Sequence, residues 1–106
     1  MNPPRLTEAA ELETAFGSGT YLLFKHSLLC PVSATAFREY MHLLASTEVS
    51  TGWVSVTDER PLSNAITDRT GVKHESPQAF VLRDGEVVWH ASHGAITREA
   101  LAKALG

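Results

Sequence analysis

The segment TYLLFKHSLLCPVS, residues 20–33, is the most informative part of the sequence about the fold. Its first half, Thr20–His26, is nearly continuous in apolar and aromatic residues, which is typical of a central strand covered on both faces. Ser27–Cys30 then forms a short loop, and Pro31 stands where proline is best tolerated, at the first position of a helix. The segment therefore predicts a buried strand that leads through a cysteine into a helix ending at about Ala45.

The other elements extend this unit on both sides. Upstream, Thr7 is predicted to cap a helix that ends at Gly17-Ser18-Gly19, and Met1–Leu6 is predicted as a loose lead-in. Downstream, the predicted elements are a strand at Trp53–Val56, a helix from Pro61 to about Arg69 closed by Gly71, strands at Pro77–Arg83 and Glu86–Ala91 joined by Asp84-Gly85, and a helix capped by Thr97. The order α-β-α-β-α-β-β-α indicates an α/β domain with one parallel strand pair and a terminal hairpin.

One compact domain over residues 1–106 is expected from length and composition. The chain has 43% hydrophobic and 20% charged residues, the proportions of an ordinary globular domain. Nine basic against twelve acidic residues give a net charge of −3, so no nucleic-acid role is expected. The apolar runs are far shorter than the roughly 20 residues of a membrane span, and the N-terminus lacks a secretory pattern. A cytoplasmic protein without a membrane partner is therefore predicted.

Cys30 is the only cysteine, which excludes an internal disulfide and a cysteine-rich zinc site. It lies between a strand and a proline that opens a helix, where a thiol faces the unpaired N–H groups and the positive dipole end of that helix. This setting favours the nucleophilic thiolate, and Ser33 is expected to offer its hydroxyl and backbone N–H to the same sulfur. The alternative is that Cys30 is a small buried apolar residue.

The dipeptide Ser76-Pro77, directly before the third strand, is a second feature of the same kind. Ser–Pro bonds can adopt the cis form, and a cis bond in a folded protein is usually a deliberate feature. The alternative is an ordinary proline at the entry to a strand. Together with Cys30, the dipeptide matches the pattern of a known family.

The two features resemble the active site of thioredoxins and glutaredoxins. Cys30-Pro31-Val32-Ser33 is similar to their redox motif with serine in place of the second cysteine, and Ser76-Pro77 falls where that fold carries its cis-proline. More narrowly, four runs resemble the YtxJ-like monothiol bacilliredoxins: FKHS (24–27), CPVS (30–33), GVKHESPQ (71–78) and WHASH (89–93). The resemblance covers about Leu6 to Leu105 and implies a thioredoxin-like α/β fold, a four-stranded mixed sheet flanked by helices.

The resemblance also implies a reaction, the removal of bacillithiol from mixed disulfides on proteins. Cys30 would attack the bacillithiol sulfur, Ser33 would replace a resolving cysteine, and Pro77 would be the cis-proline that faces Cys30. The backbone of Ser76 would pair with the incoming disulfide. Further residues expected at the substrate are Lys25, His26, Pro31, Val32, Lys73 and His74, the basic ones supplying charge to the malate carboxylates of bacillithiol. For the lysines, solvated surface is the alternative.

The implied partners are bacillithiolated client proteins, bacillithiol as co-substrate and a flavin-dependent bacillithiol disulfide reductase. A monomer with no tightly bound cofactor is expected, and no metal, since His90 and His93 lack an accompanying carboxylate pair. Two other functions stay open. One is an iron–sulfur cluster held through Cys30 of two subunits, which the rigid Pro31 disfavours, and the other is a redox-inert adaptor.

Two places depart from the family pattern. Relatives often carry a polar or basic residue directly before the cysteine, where this chain has Leu28 and Leu29, and often an aromatic residue at the position of Gly94. The leucines leave more of the thiolate stabilisation to the helix dipole. They also make the rim of the site apolar, which favours the docking of proteins.

Overall fold

The computed structural model describes residues 2–106, which form one mixed sheet with helices on both faces. The elements in chain order are α1 (Ala9–Ala15), β1 (Thr20–His26), α2 (Pro31–Leu44), β2 (Ser50–Ser55), α3 (Arg60–Thr70), β3 (Gln78–Arg83), β4 (Glu86–Ser92), a short 3-10 helix (His93–Ala95) and α4 (Arg98–Leu105). The predicted element order and the α/β class are confirmed. Met1, part of the predicted lead-in, lies outside the described residues.

The strands lie in the order β2-β1-β3-β4. β1 runs parallel to β2 and antiparallel to β3, and β3 pairs with β4 in a hairpin, as the sequence predicted. β1 and β3 are therefore the central strands, and this explains why every residue of Tyr21–His26 is buried.

Successive residues of β1 point to opposite faces of the sheet, and each face carries its own apolar core. Leu22 and Phe24 pack with residues of α2 and α4, including Tyr40 and Leu101. On the other face the core consists of residues from the N-terminal segment, α1, three strands and α3: Leu6, Leu12, Ala15, Tyr21, Leu23, Val54, Leu62, Ile66, Phe80 and Leu82. The helices thus bury the central strands from both sides.

The pairing register gathers the loops of the site at one end of the sheet. Lys25 lies opposite Gln78, and Gln78 lies opposite Ser92. β1 continues from there toward Cys30, β3 begins just after Pro77, and β4 ends at the 3-10 helix. Three segments distant in sequence therefore meet at the same edge.

The N-terminal segment differs from the predicted loose lead-in. The N–H of Leu6 donates to the carbonyl of Trp53 (2.8 Å), the N–H of Trp53 donates to the carbonyl of Pro4 (3.0 Å), and Leu6 is buried in the core. Arg5 also forms ion pairs with Asp58 and Glu59, each at 3.0 Å. The prediction was wrong because a proline without an N–H can still accept a hydrogen bond through its carbonyl.

The starts of α1 and β2 also differ from the prediction, and several other boundaries differ by one residue. The N-cap of α1 is Glu8 and not Thr7, because the carboxylate of Glu11 accepts the N–H groups of both residues, at 3.0 Å and 2.9 Å. β2 begins at Ser50, three residues before the predicted start, since Ser50–Gly52 pair with Tyr21–Leu23. The polar residues of that stretch lack the apolar alternation of a strand, and the strand forms there through backbone pairing with β1.

Gly52 is expected to be required for the packing of the N-terminal segment against the sheet. A Cβ at this position would lie 2.5 Å from the Tyr21 hydroxyl and 2.6 Å from Cδ2 of Leu6. Gly52→Ala should therefore lower the free energy of unfolding by about 1–3 kcal/mol in urea titrations. Gly94→Ala is the control, because nothing lies within 4 Å of a Cβ built there. Equal stability of the two variants would contradict this packing.

Candidate functional site

Cys30 lies at the head of α2, where the sequence predicted it. It is the N-cap residue, with extended backbone angles (φ −105°, ψ 121°), and Pro31 is the first residue of the helix. The thiol is free and half-buried, and its side chain makes no capping hydrogen bond. The residue is therefore partly accessible to solvent, and its side chain does not cap the first turn of α2.

Ser33 does not do what its spacing from Cys30 predicted. Its side chain is fully buried, its Oγ accepts the backbone N–H of Ser27 (2.9 Å), and it lies 2.7 Å from Nδ1 of His26. Ser33 Oγ and His26 Nδ1 are joined by one hydrogen bond, whose donor is set by the tautomer of the imidazole ring. The expected hydrogen bond to the sulfur is thus replaced by a tie between the Ser27–Cys30 loop and the first turn of α2.

His26 is an interior residue and not a charge at the rim. Its ring stacks on Phe37 with centroids 4.3 Å apart, and it meets Trp53 edge-on at 5.4 Å. Burial lowers the pKa of His26, so the imidazole is neutral at pH 7. The expectation that His26 supplies positive charge to a substrate is corrected, because this ring serves to hold the end of β1 against α2.

Lys25 is likewise interior, on the opposite face of the sheet. Its side chain is fully buried, and its Nζ lies 2.8 Å from Nδ1 of His74 and 3.3 Å from Oγ1 of Thr67 in α3. Burial lowers the pKa of Lys25 to about 8, so the ammonium form still prevails at pH 7. The expectation of direct contact between Lys25 and a substrate is corrected, because His74 covers this charge.

His74 itself lies at the surface, and its ring stands between the buried Lys25 ammonium and the solvent. Burial lowers the pKa of His74 first, and the positive charges of Lys25 and Arg60 lower it further, against a smaller opposite effect of Glu75. The neutral ring can accept a hydrogen bond from Lys25 through Nδ1. The side chains predicted as two separate counter-charges are therefore bonded to one another.

The segment from Gly71 to Pro77, named here the proline loop, is held by buried polar contacts. Gly71 ends α3 in the left-handed conformation (φ 69°), as predicted. The buried amide of Gln78 donates to the carbonyl of Lys73 (3.0 Å) and accepts the N–H of Glu75 (3.3 Å). The Ser76–Pro77 peptide bond is cis, and the N–H of His93 donates to the carbonyl of Pro77 (3.1 Å).

The remaining predicted substrate residues are accessible to different extents. Pro31, Val32 and Lys73 are exposed, and Ser76 is half-buried. Within residues 2–106, the Ser76 hydroxyl is the buried side-chain polar atom that has no hydrogen-bond partner. The roles of these four residues at a substrate stay predictions.

Three residues that contribute to the site could not be recognised from the sequence: Thr67, Gln78 and His93. Lys25 within an apolar strand was a signal that buried partners must exist, but only the fold shows that they are Thr67 and His74. Gln78 becomes meaningful once the register sets it opposite Lys25. His93 has a left-handed backbone (φ 55°), and its N–H donates to the carbonyl of Pro77.

The described part of the chain contains no group of three or more His, Cys, Asp or Glu residues placed to hold a metal ion. None of its helices is long and apolar enough to cross a membrane.

The class of protein follows from solved structures with the same fold. A protein described as a proposed oxidoreductase with a thioredoxin fold is 35% identical to this chain, with a TM-score of 0.92 over 98% of this chain and 94% of the other. A mutant thioredoxin from Halobacterium salinarum NRC-1 matches with 19% identity and a TM-score of 0.76, over 96% and 86% of the two chains. Thioredoxin from Trypanosoma brucei brucei matches with 10% identity and a TM-score of 0.80, over 98% and 88%. The chain therefore has the thioredoxin fold.

The family is more specific than the fold. The sequence profile described as "Monothiol bacilliredoxin BrxC" matches residues 4–101. The chain belongs to the monothiol bacilliredoxin family, and the resemblance noted from its motifs is confirmed. With Cys30 as its one thiol, it has a monothiol redox function.

The buried tie made by Ser33 is expected to contribute to stability. Ser33→Ala would leave the N–H of Ser27 without its acceptor and His26 without its partner, which should lower the free energy of unfolding by about 1–3 kcal/mol. Chemical denaturation monitored by tryptophan fluorescence measures this change. Thr35→Ala, which removes an exposed hydroxyl of the same helix, is the matched control. A loss no greater than that of the control would mean that the buried tie contributes nothing.

Proposed function

We propose that this protein removes bacillithiol from mixed disulfides on client proteins, with Cys30 as the nucleophile. The observation that carries the proposal is the one free thiol at the head of α2, followed three residues later by a buried hydroxyl that has no redox chemistry. Membership of the monothiol bacilliredoxin family supports the same reaction.

The reaction consists of two exchanges of sulfur partners. In the first, the Cys30 thiolate attacks the bacillithiol sulfur of the client's mixed disulfide, the old S–S bond breaks, and the client thiolate leaves and takes up a proton. In the second, the thiolate of another bacillithiol molecule attacks the bacillithiol sulfur bound to Cys30. This step releases bacillithiol disulfide and restores the Cys30 thiolate. A flavin-dependent reductase would then supply two electrons to the disulfide.

Ser33 makes the intermediate wait for an external thiol. A cysteine at this buried position could attack the Cys30 mixed disulfide from within the chain, whereas a hydroxyl cannot. The hydrogen bonds that join the Ser33 hydroxyl to the N–H of Ser27 and to Nδ1 of His26 also hold the loop before Cys30 in one conformation. Ser33 therefore contributes to catalysis by not resolving the disulfide and by fixing the nucleophile's loop.

The proline loop would receive the mixed disulfide. The backbone of Ser76 would pair with an extended substrate beside Pro77, and the exposed ammonium of Lys73 would face the carboxylates of bacillithiol. Pro31 and Val32 would contact the same ligand from the start of α2. Lys25 and His74 are bonded to one another, so their role is indirect.

The rim of Cys30 fits a protein client. Four large apolar side chains are notably exposed in the described structure, and three of them flank the cysteine: Leu28 (47%), Leu29 (97%) and Val32 (48%). Exposed apolar side chains that lie next to one another in this way are typical of a surface that contacts a partner. We expect clients to carry apolar residues next to their modified cysteine. We also expect this protein to act as a monomer in the cytoplasm.

Transfer of the adduct is the direct test of this function. Reduced protein mixed with a bacillithiolated client should gain the mass of bacillithiol on Cys30 while the client loses it, followed by intact-mass spectrometry. Cys30→Ala should abolish the transfer, because no other thiol exists in the chain. S33C should form the adduct and then release bacillithiol by closing a disulfide between positions 30 and 33, without a second bacillithiol molecule.

Two outcomes would contradict the function at different levels. Absence of transfer from the client, with Cys30 reactive toward other disulfides, would discard bacillithiol and keep monothiol exchange. Full activity of Cys30→Ala would overturn the assignment of the nucleophile.

The apolar rim gives a second test, on the client and not on the small thiol. Leu29→Ser should slow transfer from a protein client by about tenfold, because roughly one apolar contact with the partner is lost. Val88→Ser is the control, since Val88 is also an exposed apolar side chain (48%) but lies on β4, away from the rim. Exchange with free bacillithiol disulfide should be unchanged in both variants. An equal effect of the two serine variants on client transfer would contradict the assignment of the rim as the docking surface.

A further inference from the structure

Lys25 is a buried charge that the exchange reaction itself does not use. It stands in a strand whose neighbouring residues are apolar or aromatic, with its side chain fully buried. Its Nζ bonds to two neutral groups, His74 Nδ1 and Thr67 Oγ1, and the ion pairs found within residues 2–106 do not include it. Burial of an ammonium group without an ion-pair partner opposes folding, so the presence of Lys25 here must be explained by something other than core packing.

The position of Lys25 in the sheet supplies that explanation. Lys25 and Gln78 are directly paired across β1 and β3, and both side chains reach the proline loop. Lys25 bonds to the ring of His74, and the amide of Gln78 bonds to the backbone of Lys73 and Glu75. Three consecutive loop residues are thus held by one cross-strand pair, immediately before Ser76 and Pro77.

We propose that Lys25 is a positioning residue: through its hydrogen bond to His74 it holds the proline loop in the conformation that receives the mixed disulfide. It acts on the loop and not on the Cys30 sulfur. The inference concerns a protein substrate and in that respect rests on the proposed function, but the loop order that it predicts can be measured without any substrate.

The hydrogen bond depends on the protonation of His74. The ammonium of Lys25 can only donate, so it requires an unprotonated Nδ1. Protonation of the ring would remove this acceptor and place two positive charges 2.8 Å apart, with Arg60 adding a third nearby and Glu75 the one negative charge that favours the protonated ring. The loop should therefore loosen on acidification below the ordinary titration range of histidine, near pH 6.5.

Three variants separate this role from general effects on the fold. Lys25→Met removes the donor with similar volume, and His74→Leu removes the acceptor. His74→Asn keeps an acceptor, because the amide oxygen stands where Nδ1 stood, but it does not titrate. Hydrogen–deuterium exchange of residues 72–76 reports the order of the loop. The ratio of the rate on a bacillithiolated client to the rate on a small aromatic disulfide reports its effect on exchange.

Lys25→Met and His74→Leu should speed loop exchange by about tenfold, the equivalent of one lost hydrogen bond, and should lower the rate ratio by a similar factor. His74→Asn should restore both quantities to within about twofold of the wild type. The ratio should fall in the wild type below about pH 6.5 and stay constant in His74→Asn. Lys25→Met should be no less stable than the wild type to urea.

Several results would overturn the inference. Unchanged loop exchange in Lys25→Met would show that the hydrogen bond does not order the loop. An equal fall in the rates on client and small disulfide would show that Lys25 acts on Cys30 directly, and a destabilised Lys25→Met would show a structural role. Failure of the wild type to accept bacillithiol from the client would remove the proposed function, whereas the exchange data on the loop would still decide the role of Lys25.

Discussion

The antiparallel pairing of β1 with β3 is the constraint on which the site depends. Its register sets Lys25 opposite Gln78 at the end of the sheet, so that the chain continuing from β1 reaches Cys30 and the chain entering β3 passes through Pro77. A slip of one residue would turn Lys25 toward the wrong face and replace it by an aromatic or imidazole side chain. The apolar cores on the two faces prevent such a slip, because every core residue of β1 would change sides.

Buried polar groups at this end of the sheet give order to two loops, and the buried charge of Lys25 does so at a cost in stability. On one face, Ser33 and His26 fix the loop before Cys30, and on the other, Lys25 fixes the proline loop. The lowered pKa of Lys25 corresponds to about 3 kcal/mol disfavouring its charged form in the folded state. Because the folded-state pKa lies below the unfolded one, stability should rise with pH between about 8 and 10.5, where the unfolded chain still holds this proton.

The sequence was sufficient for the α-helices, the strands and the family, and insufficient for what the polar side chains do. Periodicity and turn residues located every α-helix and strand, because those signals are local, but they gave no sign of the 3-10 helix at His93–Ala95. The roles of Ser33, His26 and Lys25 were expected to be direct contacts with sulfur or substrate, because spacing along the chain suggests proximity. Ser33 instead bonds to His26 and Ser27, and Lys25 bonds to Thr67 in α3 and to His74 in the proline loop. Such contacts follow only from the packed fold.

The titration of Lys25 is the most informative single measurement, because it reports both the burial of this charge and its hydrogen bond to the proline loop. The Cε resonance of Lys25 can be followed by NMR as a function of pH, with Lys73 as the exposed reference. Lys25 is expected to titrate near pH 8, and His74→Leu should shift its midpoint. A midpoint near 10.5 that is unaffected by His74→Leu would show an accessible lysine with no hydrogen bond to the loop, which would rule out the positioning role of Lys25.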